Sequence, residues 1–386
     1  MGRAVQISVR PDVLKWARQT SGATFEDVAR RIKVPAATLT KWETHETPLT
    51  LTQLRELSAY FKRPLAAFLL PKPPEEPPLP KDYRTLPDGK GMFERETWLA
   101  IRKARRLQSI ANELILSMER DTKPQFSIAR LPDDPESVAQ HERERLGISL
   151  QKQQRWEHPW EALREWRNAV ERLNVLAFQL SIPVEDVRGF SLGDKEPYVI
   201  AISSADAVRA RIFTLFHEYG HLLLHDAGIC APRLETRTKR KEAEAEKWCN
   251  DFAGFFLFPQ QALQQFSTQA KLNGQALFDV LNEAAGRFKV SEQVVLRRLL
   301  HGGLVSKTSY NNSMDELVAG ARKSKQKGGP VAPAKRCLVE NGASFPSMVL
   351  EARNRGLITY ADVSDFLDVR LKYLPEIESD LMARVA

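Results

Sequence analysis

Apolar residues recur at helical spacing through most of the chain. The stripe Ala100, Ala104, Leu107, Ala111 and Leu114 alternates steps of four and three, which predicts a long helix from about residue 93. Residues 136–180 show the same helical pattern. The residues expected to cover a core in that segment are Trp156, Trp160, Leu163, Trp166, Val170, Leu173 and Leu176.

Two short segments in the middle of the chain depart from this pattern. Residues 187–192 and 198–202 alternate or run apolar over a few positions and predict two strands. A helix is predicted next over 206–228, with Asp206 capping its start and Gly228 ending it. Short helices are expected again over 290–299 and 360–367. The fold class is therefore α+β and mostly α-helical, with one small sheet.

The first 70 residues predict a compact helical unit. A helix over 11–20 precedes a second over 24–32, a turn at 33–35 and a third helix over 36–43. Two short helices joined by a tight turn have the geometry of a helix-turn-helix. Its expected packing positions are Ala29, Val34, Leu39 and Trp42.

The charge of this unit agrees with binding to nucleic acid. Residues 1–70 carry eleven Lys/Arg and six Asp/Glu, and the whole chain has a formal net charge of +8. Basic surface attracts phosphate, and the start of the second helix of such a motif enters the major groove. The candidate DNA-binding residues are Ala36, Ala37, Thr38, Thr40 and Lys41. A helical protein-interaction module without DNA affinity is the open alternative.

A proline-rich spacer separates this unit from the rest. Residues 71–80 contain six prolines in ten positions, which excludes helix and sheet and predicts an extended, semi-rigid linker. The predicted boundaries are 1–70 for the helix-turn-helix domain, 71–92 for the linker, 93–300 for a second folded domain and 301–386 for a helical C-terminal region. Residues 322–330 are strongly basic and predict a loop within that last region.

The most informative motif for chemistry is the HExxH sequence of His217, Glu218 and His221. Histidines four apart lie on one face of a helix and can bind one ion, for which zinc is the default. The adjacent Glu218 can deprotonate a metal-bound water and is the candidate catalytic base. His225 lies about 12 Å beyond His217 along the helix axis, which is too far for the same ion.

A third ligand is expected from a downstream helix. Glu246 shares a helical stripe with Asn250, Ala253 and Leu257, so a carboxylate enters an otherwise buried face. We predict Glu246 as the third ligand and Asn250 as a residue that orients a ligand. Cys249 is the competing soft ligand, and a small free cysteine is more often a core residue. A solvated acidic stretch is the alternative interpretation of this segment.

These motifs resemble two known families. Residues 211–224, together with Glu246, Asn250, Phe252, Ala253 and Pro259, resemble the ImmA/IrrE metallopeptidases, in which an HExxH helix and a later Glu four residues before Asn form the zinc site. The resemblance implies a zincin-like domain with His217, His221 and Glu246 as Zn²⁺ ligands and Glu218 as base. Residues 1–70 resemble the XRE (Cro/repressor-like) DNA-binding domains over their whole length.

Composition sets the expected compartment and partners. Three cysteines without CxxC spacing predict a reducing environment, and without a signal peptide or an apolar run near 18 residues we expect a cytoplasmic protein that binds no membrane. The expected partners are double-stranded DNA and a protein substrate such as a repressor, with a homodimer left open. The leading hypothesis is a DNA-binding regulator joined to a zinc-dependent endopeptidase. The alternative is a non-proteolytic transcription factor, or an antitoxin-like DNA-binding protein, with a structural or sensory zinc site.

Overall fold

A computed structural model describes residues 5–45, 48–75, 93–121, 123–224, 238–266, 272–323 and 331–385. The described chain divides into two compact units. The first contains residues 5–75 and 93–103, and the second begins at residue 104. Both are mostly helical with small sheets, as the α+β class requires. Among the described residues, no helix combines the length and the apolar character needed to cross a bilayer.

The first unit is a small helical bundle closed by a two-stranded ladder. Its core contains Val13, Leu14, Leu39, Trp42 and Leu57. The elements before residue 93 are β1 (Gln6–Ile7), α1 (Pro11–Gln19), α2 (Phe25–Ile32), α3 (Ala36–Thr44), β2 (Leu49–Thr50), α4 (Leu51–Phe61) and a 3-10 turn (Leu65–Leu69).

Local signals explain where α2 and α3 begin and end. Thr24 caps α2 by accepting a hydrogen bond from the Asp27 amide, and Lys33 ends it in the left-handed conformation at φ 55°. Pro35 then starts α3, so three residues separate the two helices. Of the predicted packing positions, Leu39 and Trp42 are buried and Ala29 and Val34 pack partly buried against the same core.

The second unit contains the remaining elements, together with most of α5. The helices before its sheet are α5 (Arg95–Ser117), α6 (Pro135–Leu146), α7 (Leu150–Arg155) and α8 (Pro159–Glu171). The sheet and the helices that pack on it are β3 (Val175–Leu180), β4 (Gly189–Leu192), β5 (Tyr198–Ser203), α9 (Val208–Leu223) and α10 (Thr238–Leu257). The rest are α11 (Gln260–Gln264), α12 (Gly274–Phe288), α13 (Glu292–His301), α14 (Lys307–Lys323), α15 (Pro333–Asn341), α16 (Ser344–Asn354), α17 (Tyr360–Leu367), a 3-10 turn (Leu371–Tyr373) and α18 (Leu374–Val385).

The three-stranded sheet has the order β3-β5-β4. Strand β5 pairs parallel with β3 and antiparallel with β4, so β4 lies at an edge of the described sheet. Our prediction of helix through residue 180 is wrong, because 175–180 is a strand. All six residues of β3 are buried, so no polar alternation marked it.

The helix after the sheet also differs from the prediction at its start. It begins at Val208 with Ala207 as N-cap, and no side chain caps it. The predicted cap, Asp206, instead accepts hydrogen bonds from the Ala207 amide and from Arg188. The predicted end at Gly228 lies outside the described residues.

Aromatic contacts fix α9 against its neighbours. Phe216 of α9 stacks on Phe256 of α10 with ring centroids 4.0 Å apart, and Trp166 of α8 meets both rings edge-on. Trp160, which we predicted in the core, is instead 53% exposed, with the Arg211 guanidinium 5.0 Å from its ring centroid. Phe216 therefore packs α9 against both α8 and α10.

The arginines of α5 make protein contacts that the sequence did not predict. On an amphipathic helix, charged residues usually face solvent. Arg102 instead donates to the carbonyl oxygens of Phe61 and Lys62, and Arg105 pairs with Asp194. These arginines therefore stabilise the fold.

Candidate metal centre

The HExxH residues lie on a helix that is buried along most of its length. His217 is fully buried and Glu218 is 3% exposed, while the His221 side chain is 13% exposed. Apolar residues on several sides of α9, such as Ile212, Leu215 and Leu223, explain why the helix is enclosed. A motif that is mostly polar is thereby held inside the protein.

Helix α10 supplies the carboxylate. Ala253 and Leu257 of the predicted stripe are fully buried. Glu246, at the start of the stripe, faces the histidines, and its side chain is 14% exposed. Asn250 is half-buried one turn beyond Glu246. Its role in orienting a ligand stays a prediction.

Three donor atoms converge between the two helices. The Nε2 atoms of His217 and His221 lie 3.1 Å apart. Glu246 Oε2 lies 3.4 Å from His217 Nε2, and Glu246 Oε1 lies 3.2 Å from His221 Nε2. A tetrahedral zinc with bonds of about 2.0–2.1 Å has ligand-to-ligand edges of about 3.3–3.4 Å. The donor set therefore has the chemistry and the spacing to hold zinc.

The surroundings of the triplet favour positive charge. Burial acts to lower the pKa of His221, but Cys249, Glu246 and Glu218 together raise it well above its ordinary value. Burial raises the pKa of the Cys249 thiol, which is fully buried. The neighbouring His221 opposes this shift, and Cys249 is not one of the converging donors among the described residues.

Glu218 lies next to the edge strand. A β-carbon built on Gly189 of β4 would lie 2.5 Å from the Thr214 methyl group and 3.5 Å from Glu218 Cγ. The strand can approach α9 this closely because residue 189 has no side chain. The backbone of β4 is therefore adjacent to the candidate base.

The other predicted residues have varied positions. His225 lies outside the described residues. Among the candidate DNA-binding residues, four are exposed on α3 and Thr38 is half-buried. The exposed four are Ala36, Ala37, Thr40 and Lys41.

Two buried polar contacts of α9, the helix that carries two of the candidate metal ligands, were not found from the sequence. Tyr219 donates a hydrogen bond of 2.6 Å to Glu142 of α6. Arg211 donates to Gln179 of β3 at 3.0 Å. The only polar residue in the apolar run 175–180 is Gln179, and this could have indicated its contact with Arg211.

Comparison with known families supports the peptidase part of the resemblance. Residues 170–300, about a third of the chain, match the family model Peptidase_M78, described as the IrrE N-terminal-like domain. The matched range contains the sheet, α9 and α10, and it begins beyond residues 1–70. Neither the comparison with curated proteins nor that with solved structures gave a match. A metallopeptidase-like domain is therefore supported for 170–300.

Proposed function

We propose that this chain is a zinc-dependent endopeptidase joined to a helix-turn-helix DNA-binding unit of the XRE type. The convergence of His217, His221 and Glu246 beside Glu218 carries the proposal. Two imidazoles and one carboxylate are a ligand set of catalytic zinc sites, which leave a fourth position for water or substrate. The partial exposure of His221 and Glu246 is consistent with such an open position.

The chemistry assigned to the chain's own residues is proton transfer. A zinc ion held by the three ligands would supply Lewis acidity toward the scissile carbonyl. Glu218 takes the proton from the attacking water and later passes it to the leaving amine. Because Glu218 is nearly buried, bulk water competes little with the attacking water for hydrogen bonds to its carboxylate.

An extended peptide is the substrate form that the sheet favours. Strand β4 lies at the edge of the described sheet, and Gly189 brings its backbone close to Glu218. An edge strand can pair with an added peptide strand through main-chain hydrogen bonds. The family resemblance suggests that the substrate is a regulatory protein, such as a repressor.

DNA binding is proposed for the first unit. It is supported by the two helices separated by a three-residue turn, by the basic balance of residues 1–70 and by the exposure of Lys41 on α3. Joining this unit to a peptidase would place proteolysis in a transcriptional circuit, in the cytoplasm.

Burial of the site favours a second candidate function. His217 is fully buried and Glu218 nearly so, and closed coordination is typical of structural zinc. A non-proteolytic regulator with a structural or sensory zinc is therefore the competing function.

The deciding experiment compares cells that carry the wild type, Glu218→Gln or Glu244→Gln. Glu244 is exposed on α10 and serves as the matched control. We expect all three purified proteins to contain zinc, and we expect a truncated cellular protein with the wild type and Glu244→Gln only. Unchanged processing of every protein in the Glu218→Gln strain would favour the non-proteolytic regulator.

A further inference from the structure

The C-terminal helices α15 and α16 lie outside the matched range 170–300, and buried polar groups of α8 bond them to the rest of the second unit. Arg167 and Glu171 of α8 lie one turn apart, with side chains 5% and 2% exposed. Arg167 donates to the carbonyl oxygens of Val339 and Glu340 at the end of α15. Glu171 Oε2 accepts from the amides of Ala343 and Ser344 at the start of α16, each at 3.0 Å.

The signs of these charges match the groups that they meet. A cation binds the free carbonyls at a helix C-terminus, and an anion binds the free amides at a helix N-terminus. Gly342 lies between them at φ 79°, and a β-carbon there would lie 1.9 Å from Glu171 Oε1. The turn between α15 and α16 is therefore fixed in position and in conformation.

Gln179 connects this turn to the helix that carries the metal-binding residues. Its side-chain nitrogen donates to the Val339 carbonyl at 2.8 Å, and its side-chain oxygen accepts from Arg211 at 3.0 Å. Arg211 also donates to the Asp206 carbonyl at 2.7 Å, directly before α9. Gln179 is 4% exposed and Arg211 8%, so both act away from solvent.

From this arrangement we infer that Gln179 is a positioning residue that couples the C-terminal helices α15 and α16 to the metal-binding helix α9. Arg211 precedes His217 by six residues, or about 9 Å along one rigid helix. A shift of the α15–α16 turn is therefore transmitted to the donor atoms of His217 and His221. The inference rests on the proposed zinc site, whose affinity the C-terminal helices then help to set.

Coupling of this kind is reciprocal, which makes it measurable without a known substrate. If the C-terminal helices stabilise the zinc-binding position of α9, zinc must in turn stabilise the C-terminal helices. The measurement is amide hydrogen exchange of the full-length chain with and without zinc. In the wild type we expect zinc to slow exchange in peptides from 333–354 by about fivefold or more, as well as in 208–223.

Two substitutions of Gln179 separate its two hydrogen bonds. Gln179→Met removes both. Gln179→Glu keeps the acceptor for Arg211 and loses the donor to Val339. Both are expected to abolish the zinc effect on 333–354, while Gln179→Glu retains zinc protection of 208–223.

Gln153→Met is the matched control, because Gln153 is buried like Gln179 and donates to the carbonyls of Leu257 and Phe288, away from α15. It should retain the zinc effect on 333–354. Zinc protection that is confined to α9 and α10 in the wild type, or an equal loss in Gln153→Met, would overturn the inference. If the wild type binds no zinc, the proposed function fails separately. Amide hydrogen exchange without zinc then tests the coupling, since Gln179→Met should speed exchange in both 208–214 and 333–341 more than Gln153→Met does.

Discussion

Gly220 of α9 lies directly against Cys249 of α10. A β-carbon on Gly220 would be 3.3 Å from the Cys249 sulfur, 3.3 Å from the Phe252 ring and 3.4 Å from the Cys249 Cα. His221 follows Gly220 by one residue, and Glu246 precedes Cys249 by one turn. This close contact between the two helices therefore lies beside two of the three candidate metal ligands.

This contact predicts that Gly220→Ala weakens zinc binding. The added methyl group forces α10 outward by a few tenths of an ångström, which lengthens the distance from Glu246 to His221. We expect zinc affinity to fall by about tenfold, comparable to the loss of a group that supports a ligand. Competition with a chelator of known affinity measures it. Thermal stability should change little. The higher helix propensity of alanine stabilises α9 by about 1 kcal/mol, which offsets the cost of the tighter packing.

Gly286→Ala is the control for that experiment. Gly286 lies within α12, and a β-carbon there would meet no atom within 4 Å. The substitution should stabilise the chain by about 1 kcal/mol through helix propensity and leave zinc affinity unchanged. Equal zinc affinity in both variants would contradict the role assigned to the Gly220 contact.

A second prediction concerns the identity of the third ligand. Glu246→Gln keeps the shape of the side chain but removes the anion between the two histidines. We expect zinc affinity to fall by more than about 100-fold, beyond the range for residues that only support a ligand. Glu244→Gln and His225→Ala should retain zinc. Zinc content after dialysis, measured by mass spectrometry, checks this, and retention by Glu246→Gln with loss by His225→Ala would exclude our assignment.

The sequence was sufficient for features that depend on local periodicity. Spacing along two helices placed His217, His221 and Glu246 on facing stripes. Turn residues predicted the ends of α2 and α3 to within one or two residues of the observed ends. Strand β3 was missed because it is buried on both faces and carries no alternation.

Contacts between distant segments left little local signal. Gln179 and Val339 are 160 positions apart, and the role of Gln179 follows only from the tertiary fold. The pairing of Arg105 with Asp194 is likewise not local, and nothing in the sequence around either residue indicates it. Trp160 was misplaced because a helical pattern does not say where the buried stripe ends.

A third prediction concerns the hydrogen bond that joins α9 to α6. Tyr219 is fully buried and donates to Glu142, which also pairs with Arg145. Burial first, and then Glu142, raise the pKa of Tyr219 well above 10, so the phenol stays a donor. Tyr219→Phe removes the donor from a buried carboxylate and should lower the free energy of unfolding by about 1–3 kcal/mol.

Urea denaturation measures that loss. Tyr310→Phe on α14, where the ring is half-buried, is the control and should be nearly neutral. Zinc affinity is expected to persist in Tyr219→Phe at temperatures where the variant is folded. A neutral effect on unfolding would mean that the Tyr219 hydroxyl contributes nothing to holding α9.

The fourth prediction tests DNA binding by the first unit. Lys41 is exposed on α3 and is expected to contact a phosphate or a base edge. Lys41→Ala should weaken binding to duplex DNA, including the promoter of the protein's own gene. It should also lower the slope of log affinity against log salt concentration by about 1. Lys307→Ala, on α14 of the second unit, should change neither. If the full chain shows no salt-dependent affinity for any duplex, the first unit is an interaction module.

The last prediction is a pH dependence that arises at His301. Burial first, then Arg298, Lys247 and Arg297, lower the pKa of His301 below its usual 6.5, and Asp251 only partly opposes them. The unfolded chain therefore binds a proton at His301 more readily than the folded chain does. Stability from this group is complete above about pH 6.5 and is lost as pH falls through the lower pKa of the folded state.

His301→Gln should accordingly lose less stability than the wild type when the pH falls from 7.5 to 5.5. Urea midpoints with a chelator present measure this, because metal binding then adds no pH dependence of its own. The other six histidines are common to both proteins, so the difference between the two slopes isolates His301. The effect should be small, since the His301 side chain is 38% exposed. A steeper loss in His301→Gln would mean that Asp251 outweighs burial and that the folded state favours the protonated ring.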